Sequence, residues 1–264
     1  MTTSPALPAA LLAIYSTLSL PTIYVAVQHG IKHGAILGWA FLLAFCLIRI
    51  TSSALEIEDE TSSTAILLTG IGISPLLSSV CGVLHESHAY LLPKANKRLG
   101  VPWLVLFHFQ VMTAIALVAV GASNLNKATL IPDQVSHNLS LVRAGMIILL
   151  IAWVFLTVLA VVTLGALSHK RRTMENYTEE KKLLLVILIA IPFLGIRVFE
   201  RLVYYFTQTT LVDPITRSIG LRTGLEVIEE IIVTLLLVIV GIMTRNAGKS
   251  PPQQRLDTTG PCIG

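Results

Sequence analysis

Seven stretches of this chain stay apolar over about 20 residues or more, the length a helix needs to cross a bilayer. They fall at roughly 6–27, 35–57, 64–90, 102–123, 142–168, 183–207 and 223–244. A backbone in hydrocarbon must satisfy its own hydrogen bonds, so such runs become helices. Composition agrees: 13% of residues are charged, against about 25% in a soluble domain, and mean hydropathy is +0.77. The expected fold is all-α, a polytopic membrane protein with seven transmembrane helices. One domain covers 1–245, and a polar tail over 246–264, with Pro251 and Pro252, reads as disordered and cytosolic. Pro21, Pro75 and Pro192 fall inside spans, where neighbouring groups can re-satisfy the backbone.

Basic residues set the orientation. Lys32, Lys94, Lys97, Arg98, Lys170, Arg171, Arg172, Lys181, Lys182, Arg245, Lys249 and Arg255 fall on one side; Lys127, Arg143, Arg217 and Arg222 fall on the other. The richer side is cytosolic, which puts the N-terminus outside or in a lumen. The first ten residues have no basic cluster, so the first run reads as a retained span rather than a cleaved signal. Asn138-Leu-Ser is a glycosylation sequon on the expected outer face. Cys46 and Cys81 fall inside spans and Cys262 in the tail, so free thiols are expected. The chain is an endoplasmic reticulum or plasma membrane protein on this reading.

Charge inside the apolar runs is the informative exception. Arg197, Glu200 and Arg201 are spaced i, i+3, i+4, and so are Glu226, Glu229 and Glu230. That spacing puts each triplet on one helix face. With a rise of about 1.5 Å per residue, Arg49 and Glu56 of the second span reach the same depth, as does Tyr204. Together they form an expected outer layer of three arginines and five glutamates. Ionisable groups at such depth are kept where they pair or work. If every one were charged, the layer would carry minus two. Like charges crowded in a low dielectric do not all ionise, so the count predicts one or two neutral carboxyls.

An inner group holds His85, Glu86 and His88 at the end of the third span and His108 in the fourth. Their number and spacing suit interfacial or hydrogen-bonded histidines better than a metal site, and none is expected. Trp39, Trp103 and Trp153 read as packing or interface anchors. Retinal proteins need a lysine in the last span, and 223–244 has none. Neither the acidic-Arg-Tyr motif nor the outer disulfide of common G-protein-coupled receptors is visible. No nucleotide-binding motif and no aromatic–basic strip for nucleic acid appears, and no cofactor is implied.

Several phrases carry a resemblance. His29-Gly30, Gly38-Trp39, Phe45-Cys46-Leu47-Ile48-Arg49-Ile50, Gly70-Ile71-Gly72-Ile73-Ser74-Pro75-Leu76, Gly82-Val83-Leu84-His85-Glu86 and the last-span Glu230-Ile-Ile-Val resemble an uncharacterised family of seven-span membrane proteins of filamentous fungi. The resemblance implies a fold and a source but no chemistry. In layout alone the chain is similar to fungal membrane-bound terpene cyclases and to lipid-translocating exporters. The expected function is action on a lipophilic small molecule of secondary metabolism, by epoxide opening or proton-initiated cyclisation without a metal. Glu226, Glu229 or Glu230 would donate the proton. Glu200 or Glu56 would be the base or charge stabiliser, and Arg49, Arg197 and Arg201 would fix protonation states. A metabolite exporter or a seven-helix receptor is the alternative.

Overall fold

A computed structural model describes residues 6–29, 35–59, 62–91, 93–125, 132–169, 178–207 and 227–244, and every described element is a helix. In chain order they are α1 (Ala6–His29), α2 (Ala35–Glu58), α3 (Ser63–Ile71), α4 (Ile73–Leu91), α5 (Pro93–Leu125), α6 (Pro132–His169), α7 (Thr178–Thr207) and α8 (Ile228–Met243). Six stretches are long and apolar enough to cross a membrane: Ala6–His29, Ile36–Glu58, Ser63–Ala89, Pro102–Leu125, Pro132–Ala166 and Lys181–Thr207. The chain is therefore a helical, multi-pass membrane protein. The expected seventh span, 223–244, is represented by α8; its first four residues lie outside the described part. The tail over 246–264 lies outside it as well.

The third expected span is two helices. Pro75 has no N–H, and its ring crowds the carbonyl four residues back, at Ile71. α3 ends there, and Gly72 closes it with an N–H bond of 3.0 Å to the Leu68 carbonyl. α5 and α6 begin about ten residues before their apolar runs. Each opens on a proline, a residue preset for the first helical position.

α4 is the axis of the molecule. Every residue from Gly72 to Ser87 is buried. It packs against α2, α3, α5, α6 and α7. Its polar residues there are mostly small: Ser74, Ser78, Ser79 and Ser87. Small residues let membrane helices approach closely. At Gly38 and Gly82 the α2 and α4 backbones nearly touch. A Cβ on Gly82 would stand 2.4 Å from the Gly38 Cα. α5 and α6 use the same device at Gly121 and Gly145.

Two groups of helices share α4 and α7. In one, α1, α2, α4, α7 and α8 close a ring through the contacts α1–α2, α2–α4, α4–α7, α7–α8 and α8–α1. In the other, α5 and α6 pack on each other and on α4. Their outer faces carry exposed Leu106, Phe109, Met112, Ile151, Val158 and Val162. An apolar surface of that extent suits lipid rather than water.

Candidate functional site

The ring holds two buried polar layers. The first is built on Glu230, in the first turn of α8 and 2% exposed. Its Oε2 accepts from Arg49 Nη2 of α2, and its Oε1 accepts from Arg197 Nε of α7 at 3.2 Å. Arg197 Nη1 donates in turn to Glu200 Oε2, one turn along α7. Arg49 also lies 5.9 Å from the Phe45 ring centroid, a cation–π distance. Arg201 and Glu229 are buried beside them. The i, i+3, i+4 spacing on α7 aims its triplet inward, as the sequence predicts.

The structure thus brings together six of the expected residues: Arg49, Arg197, Glu200, Arg201, Glu229 and Glu230. Glu56 lies seven residues beyond Arg49, about 10 Å along α2, and Tyr204 lies three beyond Arg201, about 4.5 Å along α7. Both are half-buried, and Tyr204 meets Tyr205 edge-on at 4.8 Å. Glu226 lies outside the described residues. Hydrogen bonding distinguishes the described carboxyls. Glu230 and Glu200 are ion-paired, whereas the buried Glu229 Oε2 has no hydrogen-bond partner among the described residues. Arg197, Glu200 and Glu230 surround Glu229 electrostatically.

The second layer contains Glu86 of the expected inner group, but its partners His29 and Trp39 are not expected from the sequence. His29, the last residue of α1, approaches Glu86 Oε1 through Nδ1 at 2.7 Å and the Gly241 carbonyl through Nε2 at 2.9 Å. Trp39 Nε1 donates to Glu86 Oε2 at 3.1 Å, and its ring lies 4.9 Å from that of His29. A carbonyl only accepts, so Nε2 carries a proton. One further proton lies between Nδ1 and Oε1. Either placement leaves the His29–Glu86 pair with no net charge. The cluster ties α1, α2, α4 and α8. It forms because Gly38 and Gly82 bring the Trp39 and Glu86 backbones together, and because Gly241 makes room: a Cβ there would lie 2.7 Å from the Trp39 ring. The available signal was Glu86 itself, the one acidic residue of the third span. A lone buried carboxylate must find a donor.

The two layers are about 15 Å apart, from the ten residues between Trp39 and Arg49. α8 covers the same interval in the opposite direction, from Glu230 to Gly241. Between them stand buried Leu42, Phe45, Val233 and Leu237. The buried hydroxyls of Thr22 and Thr234 bond within their own helices, to Leu18 and Glu230 carbonyls.

The other histidines serve separate neighbours. His85 packs on Trp103, and His108 stacks on Phe41 while its Nδ1 donates to the Leu104 carbonyl at 2.7 Å. Among the described residues no three His, Cys, Asp or Glu side chains converge as a metal site would require. Trp153 is a packing anchor with a polar tip, its Nε1 donating to the Ile191 carbonyl at 2.9 Å. Cys46 and Cys81 are buried free thiols. Asn138, the expected glycosylation position, lies inside α6, 6% exposed, and its Oδ1 accepts from Asn124 at 3.4 Å.

The family described as "Domain of unknown function (DUF7702)" matches residues 1–247. The chain belongs to that family. The match includes both buried layers and every helix of the ring. No curated protein and no solved structure matches it. For this DUF7702 member, chemistry must therefore be argued from the side chains.

Proposed function

We propose that this protein acts on a lipophilic small molecule inside the membrane, by acid–base chemistry at the Arg49–Arg197–Glu230 layer. The observation that carries this reading is the division among the carboxyls. Glu230 and Glu200 are held by arginines, while the neighbouring Glu229 keeps a buried oxygen free of hydrogen bonds. A fixed, buried charge array beside an acid with no hydrogen bond on Oε2 among the described residues suits proton donation. Glu229 would give its proton to an epoxide oxygen as the C–O bond opens, or to an alkene carbon. Glu200 or Glu56 would take the proton lost from the resulting cation, which balances the reaction. Arg197 would hold Glu200 and Glu230 in place, and Arg49, Arg197 and Arg201 together would fix the protonation states. Glu226 stays a second candidate donor, and Tyr204 a substrate contact.

The reading includes seven spans, with α8 as the last, the N-terminus outside or lumenal and the C-terminus cytosolic. The host membrane is the endoplasmic reticulum or the plasma membrane, and the substrate belongs to secondary metabolism. A lipophilic substrate reaches such a site sideways from the bilayer. Metabolite profiling after gene deletion tests the reading. An unreacted epoxide or linear precursor should accumulate. Finished product retained in the cell would instead support export, and an unchanged profile would remove both.

A further inference from the structure

Away from both layers, α3 and α5 enclose a groove of about 530 Å³. Ser63 and Thr64 in the first turn of α3, with Ser123 and Asn124 in the last turn of α5, form its rim. Leu67, Ala119 and Val120, about one turn further in, form its floor. Polarity therefore changes along the bundle axis, from hydroxyl and amide groups at the helix ends to methyl groups inside. The groove also opens sideways. Val120 is 53% exposed and continues the exposed apolar stripe of α5 through Met112, Phe109 and Leu106. A molecule can enter from the bilayer and keep its head at the rim.

The rim carries no charged side chain. The groove's seven lining residues are all uncharged: hydroxyl, amide and apolar side chains. A charged head group would find no side chain of opposite sign in this lining, whereas a hydroxyl head finds hydroxyl and amide partners. The volume is within the usual range of small-molecule sites, about 300–1,000 Å³. Asn124 is tied to Asn138, while the Ser63, Thr64 and Ser123 hydroxyls are engaged by no other described residue. We infer that the α3–α5 groove binds an uncharged amphiphile, one with a hydroxyl head and a hydrocarbon tail, entering from the bilayer.

The test uses the full chain in nanodiscs of zwitterionic phospholipid, with a photoactivatable monoacylglycerol and the matching fatty acid as probes. Adducts are mapped by proteolysis and mass spectrometry. The monoacylglycerol should label 63–67 and 119–124 in preference to the open stripe at 105–112, and the fatty acid should label the groove several-fold less. Leu67→Trp, which fills the floor, should suppress the groove adducts. Thr64→Ala with Ser123→Ala leaves the packing intact and should weaken them while sparing the stripe. Equal labelling of groove and stripe would overturn the inference, as would equal labelling by the fatty acid or crosslinks joining two copies across this face. None of these outcomes bears on the Glu229 proposal.

Discussion

Glu230 accepts from arginines on two helices, so a single change there leaves buried charges without partners. Removing one member of a buried ion pair costs about 3–5 kcal/mol, whereas replacing both by apolar groups is often close to neutral. Arg49→Met and Glu230→Leu should each lower the unfolding midpoint of the detergent-solubilised protein by several degrees. The double variant should recover much of that loss. A strictly additive double variant would mean the pair is not coupled. Trp39→Phe keeps an aromatic ring but deletes the donor to Glu86 and part of a fully buried indole, and should cost at least about 1–3 kcal/mol, from the unsatisfied carboxylate oxygen and the void together. Unchanged stability would show that Oε2 has another donor. The sequence made the first of these layers readable, because three charges repeated at helical spacing in an apolar run. It hid the second, because His29 and Trp39 flank a loop and meet Glu86 only through tertiary packing.

At the level of elements, close helix contacts decide where these side chains can stand. Gly38→Ala or Gly82→Ala puts a methyl group within 3 Å of facing backbone, which cannot move aside as a side chain can. Overpacking of this kind costs about 1–3 kcal/mol. Either variant should therefore destabilise the protein and loosen the Trp39–Glu86 contact, read as a red shift in Trp39 fluorescence in a variant lacking the other tryptophans. Gly70→Ala is the control, since nothing lies within 4 Å of a Cβ there. Helix positions were plain from hydrophobic runs alone. The break at Gly72 was foreshadowed only by Pro75, and the long starts of α5 and α6 were not visible. A helix continues past the hydrocarbon wherever its backbone can, and hydropathy records only the apolar part.

For the whole molecule, the ring of α1, α2, α4, α7 and α8 holds all the grouped charge, and α5 with α6 present their apolar outer faces to lipid. Opposite ends of the ring are pinned by Glu230 and by His29–Glu86, with a packed apolar interval between them. The central claim is that the uncommitted Glu229 carboxyl is the working acid while Glu230 is its scaffold. The most direct measurement complements a deletion strain with Glu229→Gln and profiles metabolites, after confirming that the variant reaches the membrane at wild-type level. The account predicts build-up of the same unreacted precursor as in the deletion strain. A wild-type profile from Glu229→Gln would contradict it.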